Sequence, residues 1–413
     1  MSALGGIRIV DLSMGWAGPL ACRHLADLGA DVIKVESCER FDWWRSWEAT
    51  EEWIADDGAE KSVAFNMVNR NKRAITLDLE HPEGRHLFLE LVKTANAVVE
   101  NYSGNVMPKL GLSYDVLAAA KPDIVLLSMP AFGSTGPWAK FRAYGSTVEQ
   151  SSGLPHLQGF AEDQPTMLHV ALGDAVGGIT GASALLTALR HQARTGQGQF
   201  VDLSQVEALH GLASHGILEY AVTGRRPARQ GNLSPHAAPH GVYPCRDNAR
   251  NEDVWVVIQA FNETQWQALQ VVTAPALDRF GDLSDRLQRI EELDAAIAAW
   301  TAAQEGRDLM HRLQAAGVPA AVTNSPADLL EDEQLQSQGF WQYLERAVVG
   351  VQPNPSAPFQ VDGEALAIKA PAPTMGQHNE EVLGGILGLD AAELARLTEV
   401  GVIGTRPRMP SRT

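Results

Sequence analysis

The sequence feature that most constrains the fold is an alternation of short apolar runs with helix-like segments in the first third of the chain. Apolar runs typical of strands stand at residues 6–12, 31–36, 74–79, 97–100 and 123–128. Residues 19–28 and 82–95 are typical of helices, the first followed by Gly29 and the second opened by Pro82. Since strands that alternate with helices form parallel sheets, the sequence predicts an α/β fold with a doubly wound, Rossmann-like sheet.

The rest of the chain predicts a smaller domain inserted into the first. A Gly- and Ala-rich helix at 173–194, a strand at 199–203 and a helix at 205–222 precede a polar, linker-like segment at 224–239. Beyond it, strands at 254–260 and 318–322 and helices at 264–272, 287–303 and 307–316 indicate a small α+β domain. We predict a large α/β domain over residues 1–224, a linker and small domain over 225–324, and a return to the large domain over 325–413.

Charge and cysteine content exclude several kinds of partner. The 33 basic and 50 acidic residues give a net charge of −17, which repels nucleic acid and anionic membranes. Cys22, Cys38 and Cys245 are too few for a disulfide framework and lack zinc-ligand spacing. With no targeting segment at the start and no apolar run expected to span a membrane, the sequence predicts a cytoplasmic protein without a metal site.

One acidic residue stands where a nucleophile could act. Asp174 follows an apolar, strand-like stretch at residues 169–172 and precedes the helix of small residues. A helix N-terminus favours a carboxylate anion through its dipole and free N–H groups, and the adjacent Gly173 lets a bulky ligand approach the backbone. A carboxylate that attacks a thioester needs ionisation and nearby hydrogen-bond donors. A simple helix-capping role for Asp174 is the alternative interpretation.

Several motifs, in order, resemble the class III CoA-transferases, the family that includes formyl-CoA and carnitine CoA-transferases and α-methylacyl-CoA racemase. They are residues 18–21 (GPLA), 28–36 (LGADVIKVE), 69–79 (NRNKRAITLDL), 99–102 (VENY), 173–174 (GD), 194–199 (RTGQGQ) and 376–383 (GQHNEEVL). Each motif is weak alone, but the ordered set covers nearly the whole chain and is specific.

The resemblance implies that Asp174 is a catalytic nucleophile. It would form a mixed anhydride with the acyl group of an acyl-CoA and then an aspartyl-CoA thioester, which the acceptor acid attacks. The implied activity is transfer of coenzyme A to a carboxylic acid, with an acyl-CoA as substrate, succinyl-CoA as a candidate donor, and no metal or tightly bound cofactor. The resemblance also implies an interlocked homodimer, with a hetero-oligomer containing a related subunit as the alternative.

The same resemblance assigns residues to the CoA site. They are Asn71, Lys72, Arg73, Asn101, Tyr102 and Arg142. Cationic side chains would meet the nucleotide phosphates, and residues 101–102 follow a predicted strand at the end where open α/β sheets bind ligands. Without the family, a basic pair before a strand is more typical of a solvated turn.

Three further residues are predicted to line the substrate pocket: Trp16, Tyr144 and Gly173. Trp16 stands where formyl-CoA transferase has a glutamine, and the run of glycines that serves as a lid in that enzyme is missing, so oxalate is not the expected acceptor. The racemase branch has His-Asp after the position of Tyr144, where this chain has Gly-Ser-Thr. The missing base favours transfer over racemisation or epimerisation, which stays the alternative.

Tryptophans cluster at positions 16, 43, 44, 47 and 53. They are typical of core or dimer packing, or else of an apolar pocket for a bulky or aromatic acid. Two other classes of function are a non-catalytic CoA-binding subunit, against which Asp174 argues, and a nucleotide-dependent oxidoreductase. The oxidoreductase interpretation is weak because residues 13–19 (SMGWAGP) lack the G-x-G-x-x-G fingerprint.

Overall fold

Six parallel strands form the central sheet in the order β3-β2-β1-β4-β5-β6 of the computed structural model, which describes residues 2–168, 171–247 and 253–409. The strands are β1 (Arg8–Asp11), β2 (Asp31–Glu36), β3 (Arg73–Thr76), β4 (Ala97–Glu100), β5 (Val125–Ser128) and β6 (Gln199–Asp202). In the register, Ile9 pairs with Val32 on one side and Ala97 on the other. The predicted α/β fold with a Rossmann-like parallel sheet is confirmed.

The residues of β1 to β5 are mostly apolar and buried because both faces of the sheet are covered there, whereas the edge strand β6 is partly exposed. The helices up to residue 223 are α1 (Ala17–Asp27), α2 (Glu51–Ala55), α3 (Val63–Val68), α4 (Pro82–Lys93), α5 (Val106–Lys109), α6 (Tyr114–Ala120), α7 (Gly145–Ser151), α8 (Leu172–Thr195), α9 (Gln205–His210) and α10 (Ser214–Thr223). On one face of the sheet, Val10 and its neighbours pack against α4, α6 and residues 382–403. On the other face, Ile9 and its neighbours pack against α1 and α8.

Two details differ from the sequence prediction. The helix predicted over residues 205–222 is broken into α9 and α10 around Gly211, a residue with low helix propensity. The strand-like stretch predicted at 169–172 lies partly outside the described residues, and Leu172 begins α8.

Chain contacts define two compact units. The large unit comprises Met1–Pro155, Met167–Leu218 and Gln334–Thr413, and the small unit comprises His156–Thr166 and Glu219–Glu333. The elements of the small unit are β7 (His240–Pro244), β8 (Trp255–Gln259), β9 (Ala320–Val322), α11 (Glu263–Thr273), α12 (Leu283–Gln288), α13 (Ile290–Thr301), α14 (Gly306–Ala315) and α15 (Pro326–Glu331). Its antiparallel sheet has the order β7-β8-β9. The single helix predicted over 287–303 is wrong, since α12 and α13 meet at Arg289, outside helical geometry.

The C-terminal segment belongs to the large unit. It contains α16 (Glu333–Ser337, beginning one residue before that unit), the hairpin of β10 (Trp341–Arg346) and β11 (Gly350–Pro355), the strands β12 (Gln360–Val361) and β13 (Glu364–Ala365), and α17 (Ala391–Glu399). Asn379 accepts a hydrogen bond from Thr76 N at 2.9 Å, and Arg346 forms an ion pair of 2.6 Å with Glu60. These contacts attach the segment to residues from the first part of the chain.

Among the described residues one helix, α8, is long and apolar enough to cross a membrane, by length and composition only. Its Ala182, Leu185 and Leu189 are buried against the sheet, as in a core helix. The glycines of α8 permit this packing: a Cβ on Gly178 would lie 2.9 Å from Ala17 O of α1.

Candidate active site

Loops at the carboxyl ends of β1, β4, β5 and β6 converge on a cavity of about 330 Å³ within the large unit. Open α/β sheets bind ligands at this end of their strands. Its walls include Met14, Trp43, Asn101, Tyr102, Val106, Ala131, Phe141, Arg142, Tyr144, Gly145, Asp174 and Gln205. Among the described residues on this wall, Asp174 is the sole carboxylate and there is no histidine.

Asp174 lies in the first turn of α8 but does not cap it. The N-cap is Ala171, which has no side-chain cap hydrogen bond. The carboxylate is half-buried and faces the cavity. A capping role therefore does not account for an aspartate at this position.

Two opposing effects set the protonation of Asp174. Burial raises the pKa of the carboxyl to about 6, against hydrogen bonds from the backbone N–H groups of Gly145 and Ala17 that lower it. The sequence analysis predicts that the helix N-terminus favours the anion, but the effect of burial on the pKa is larger. The carboxyl still ionises below pH 7, and it forms no ion pair with any described cation. Such a combination of desolvation and donors marks a candidate functional carboxylate.

The approach of Gly145 to Asp174 leaves no room for a side chain. A Cβ at position 145 would lie 2.0 Å from Asp174 Oδ2. Gly145 begins α7, directly after Tyr144. A glycine is therefore required here to bring the N–H group of residue 145 onto the carboxylate.

The second donor, Ala17 N–H, is positioned by polar contacts on the loop before α1. Ser13 O accepts a hydrogen bond from Lys34 Nζ at 2.7 Å, and Gly15 N donates to Asp42 Oδ1 at 2.8 Å. Asn101 binds both backbone groups of Met14, each at 2.8 Å. The loop 13–16 is thereby fixed, which preorganises the donor that follows it.

An aromatic wall stands beside the carboxylate. The ring centroids of Trp43 and Tyr144 are 5.5 Å apart, and those of Trp47 and Tyr144 are 5.3 Å apart. Trp43 also packs on Gly15, whose φ of +73° and lack of a Cβ admit the indole. Tyr144 is 57% exposed, so this wall presents apolar surface to the site.

The structure brings four of the predicted site residues to the cavity with Asp174: Asn101, Tyr102, Arg142 and Tyr144. Two others lie off its wall. Trp16 packs against Trp44 instead, with the two ring centroids 5.3 Å apart, and Trp43 is the tryptophan that lines the cavity. Gly173 packs α8 against α7, since a Cβ there would lie 2.6 Å from Gly145 O.

The three predicted CoA-binding residues around the start of β3, Asn71, Lys72 and Arg73, lie off the wall of this cavity and contact other parts of the large unit. Lys72 is fully buried, with its Nζ 2.8 Å from Asp11 Oδ2 and 2.8 Å from Asn69 Oδ1. Arg73 forms an ion pair of 2.6 Å with Asp31. The side-chain oxygen of Asn71 accepts from the backbone of residues 369 and 370. In this conformation these side chains support the fold of the large unit.

A second cavity of about 630 Å³ adjoins the first within the large unit. The two share Met14, Tyr102 and Val106 on their walls. The second cavity is lined by three cationic residues, Arg40, Arg85 and Lys109, and by three acidic ones, Glu36, Asp78 and Glu80. The sequence analysis predicted none of the three cationic residues, although Arg40 follows the carboxyl end of β2 and Lys109 lies in the helix after β4, where ligand contacts are expected. Arg40 is 2.9 Å from Glu80, but both side chains are exposed, so this ion pair is weak and exchangeable.

Comparisons with known proteins identify the family of this chain. A sequence model described as CoA-transferase family III matches residues 4–379. The succinate–glutarate CoA-transferase of Agrobacterium fabrum is 33% identical over 384 residues, covering 92% of this chain and 94% of that protein. The succinyl-CoA–D-citramalate CoA-transferase of Chloroflexus aurantiacus is 31% identical over 411 residues, covering 97% and 98%.

A solved structure extends the likeness to the fold. The crystal structure of a CAIB/BAIF family protein from Brucella suis matches with a TM-score of 0.83 and 30% identity, covering 93% of this chain and 99% of that one. Family match, relatives and structure each span nearly the whole chain. The protein is thus a member of CoA-transferase family III, an enzyme that transfers coenzyme A.

Proposed function

We propose that the enzyme transfers CoA from succinyl-CoA to a carboxylic acid through covalent intermediates on Asp174. The observation that carries the proposal is the environment of this carboxylate: it faces a cavity, forms no ion pair with a described cation, and receives two backbone donors. The names of the two relatives, which involve succinate or succinyl-CoA, support the choice of donor.

The chemistry follows from the carboxylate and its donors. Asp174 attacks the donor carbonyl, the C–S bond breaks, and CoA leaves as a thiolate, giving a mixed anhydride. The thiolate then adds to the aspartyl carbonyl and expels the donor acid, which leaves an aspartyl-CoA thioester. The N–H groups of Ala17 and Gly145 are placed to donate to the oxyanion formed on that carbonyl. The acceptor carboxylate repeats these steps in reverse.

The second cavity is a candidate site for the nucleotide of CoA. Arg40, Arg85 and Lys109 offer positive charge to phosphate groups there, and of the three carboxylates on the same wall Glu36 is paired with Arg45. The shared wall at Tyr102 gives a path from there to Asp174 for the pantetheine arm. This assignment differs from the sequence expectation, in which the cationic side chains of Lys72, Arg73 and Arg142 meet the phosphates.

The aromatic wall supports an acceptor with a bulky or aromatic group. Trp43, Phe141 and Tyr144 offer ring faces beside the reacting carboxylate. Racemisation is less well supported, because proton transfer on both faces of an α-carbon needs two acid–base groups and the described wall holds one carboxylate and no histidine.

We also propose the homodimer that the family resemblance implies. On α10, Leu218 is 62% and Val222 83% exposed, an apolar surface that association would cover. Light scattering is expected to give twice the chain mass. A clean monomer would overturn the proposal, and a species with a second, related chain from the native source would replace it by the hetero-oligomer.

The proposed activity is tested by incubating the enzyme with succinyl-CoA and a panel of carboxylic acids, and identifying new CoA thioesters by mass spectrometry. We expect a new thioester with at least one acid, none with Asp174→Asn, and more product from acids with apolar or aromatic groups. If the Asn variant forms the same thioesters at the wild-type rate and has not deamidated, the covalent mechanism is wrong.

A further inference from the structure

A buried glutamine on the wall of the Asp174 cavity has a hydrogen-bond acceptor that no described residue uses. Gln205 is the first residue of α9 and is 6% exposed. Its Nε2 donates to Met129 O at 2.7 Å, whereas its buried Oε1 has no hydrogen-bond partner in the described ranges. Buried polar atoms are nearly always paired with protein, water or ligand. An acceptor of this kind on a substrate cavity points to a donor on the bound molecule.

The contact with Met129 determines which amide atom is left over. Rotating the amide by half a turn would set Oε1 against Met129 O, so that two acceptors would face each other. Oε1 lies against α8, since a Cβ on Gly177 would be 3.0 Å from it. Residues 174 and 177 lie on the same face of a helix, about one turn apart. The unused acceptor is therefore close to the nucleophile.

The missing donor is not part of the reacting group. Carboxylate and thioester oxygens only accept hydrogen bonds, so the donor is a separate N–H or O–H of the substrate. An ammonium group would need a second carboxylate, but Asp174 is the sole carboxylate on the described wall. A neutral hydroxyl group meets the requirement without adding charge.

The sheet order indicates which part of the substrate carries this hydroxyl. The second cavity lies at the carboxyl ends of β3, β2, β1 and β4, whereas Gln205 follows β6, two strands beyond β4. Neighbouring strands are about 4.8 Å apart, so Gln205 lies on the side of the site away from the proposed nucleotide. A donor that reaches Gln205 therefore belongs to the acyl part of the substrate, not to CoA.

We propose that Gln205 is a specificity-determining residue whose Oε1 accepts a hydrogen bond from a hydroxyl group near the carboxyl group of the acid substrate. The inference rests on the proposed function, in which that carboxyl group reacts at Asp174. It narrows the substrate class from carboxylic acids to hydroxy acids.

The test compares acids that differ by one hydroxyl group, with succinyl-CoA as donor: 2-hydroxyglutarate with glutarate, and 3-phenyllactate with 3-phenylpropionate. The wild type should prefer the hydroxylated member of the better pair by about tenfold or more in kcat/KM. Gln205→Met keeps the length of the side chain without a strong acceptor. It should lower kcat/KM for that hydroxy acid about tenfold and change the other acid less than about twofold. The acid without the hydroxyl group is the internal control for the variant.

Loading of CoA onto Asp174 from succinyl-CoA alone, measured by protein mass, separates the possible failures. In Gln205→Met, loading should fall less than kcat/KM for the hydroxy acid does. Equal losses in loading and with both acids would mean that Gln205 contacts CoA or supports the fold, and a wild type without hydroxyl preference would equally overturn the inference. If the wild type forms no adduct at Asp174, the proposed function itself fails.

Discussion

Two carboxylates near the carboxyl ends of the sheet have opposite environments. Asp11, at the end of β1, is fully buried and lies 2.8 Å from Lys72 Nζ. Burial alone would raise the pKa of Asp11, but the ammonium groups of Lys72 and Lys34 outweigh it and hold the pKa below its usual value. Asp174 forms no ion pair with a described cation, and burial raises its pKa to about 6.

The difference separates a supporting carboxylate from a reactive one. The lowered pKa keeps Asp11 charged, and its carboxylate oxygens accept hydrogen bonds from Lys72 and from Ser13 of the loop before α1. Asp174 keeps an accessible oxygen at the cavity and is more basic than an ordinary aspartate. Charge pairing therefore builds the frame of the site, and the unpaired carboxylate performs the chemistry within it.

The largest expected effect comes from removing the unpaired charge. Asp174→Asn should lower kcat by several orders of magnitude, because the amide is not a nucleophile. Folding raises the pKa of this carboxyl, so its ionisation above pH 6 costs the folded state stability. The Asn variant should therefore have an equal or higher Tm at pH 8, by thermal unfolding. If the Asn variant fails to fold, or turns over normally without deamidation, Asp174 is not a reactive carboxylate of the kind proposed. Asp174→Ala, which does not deamidate, is the control.

Removing the paired charge should act on stability instead. Asp11→Asn leaves the buried ammonium group of Lys72 without its counter-charge, which should cost about 3–5 kcal/mol in the free energy of unfolding. Asp31→Asn is the matched control. Its ion pairs with Arg8 and Arg73 are partly exposed, so about 1 kcal/mol or less should be lost. Similar losses for both variants in urea unfolding would show that burial does not distinguish them.

Blocking a donor should have an intermediate effect. In Gly145→Ala the new methyl group collides with Asp174 Oδ2 and moves the N–H group of residue 145 off the carboxylate. Loss of one oxyanion donor typically lowers kcat by about 10²–10³. Gly211→Ala is the control, since that glycine has helical φ and open space around it. Steady-state kinetics in which both alanine variants behave alike would remove the proposed role of residue 145.

The smallest effect is the pH dependence. Since the nucleophile must be ionised and its pKa is about 6, kcat/KM should be flat above pH 7 and fall about tenfold per unit well below pH 6. Asp11, whose pKa is lowered, adds no inflection in this range. A profile with its acid limb near pH 4 would mean that Asp174 titrates as an ordinary exposed aspartate.

The sequence predicted the sheet because its strands are short, mostly apolar runs that alternate with helix-like segments, and the rule that ligands bind at the carboxyl ends of strands located Asn101 and Tyr102. The sequence did not predict β7 or the β10–β11 hairpin, because Pro244, Pro353 and Pro355 are residues typical of turns. Proline at such positions hides strand character from a pattern-based interpretation.

The site was harder to predict where distant residues compete for one side chain. Lys72 is basic and stands in a family motif, but its partner Asp11 is 61 residues away, and nothing local shows that the pair is buried. Trp16 and Trp43 could not be ranked as pocket residues, because the choice depends on stacking with Trp44 and packing on Gly15. Gln205 gave no sequence signal, since an unpaired amide oxygen is visible only in three dimensions.

Covalent catalysis at Asp174 is tested most directly by the mass of the peptide that contains this residue, after the enzyme has been incubated with succinyl-CoA and quenched with hydroxylamine. A covalent intermediate predicts a hydroxamate on Asp174 and on no other residue, formed only when the acyl-CoA is present. The paired Asp11 in the same digest should stay unmodified. Continued CoA transfer with an unmodified Asp174 peptide, under conditions that trap a thioester standard, would contradict it.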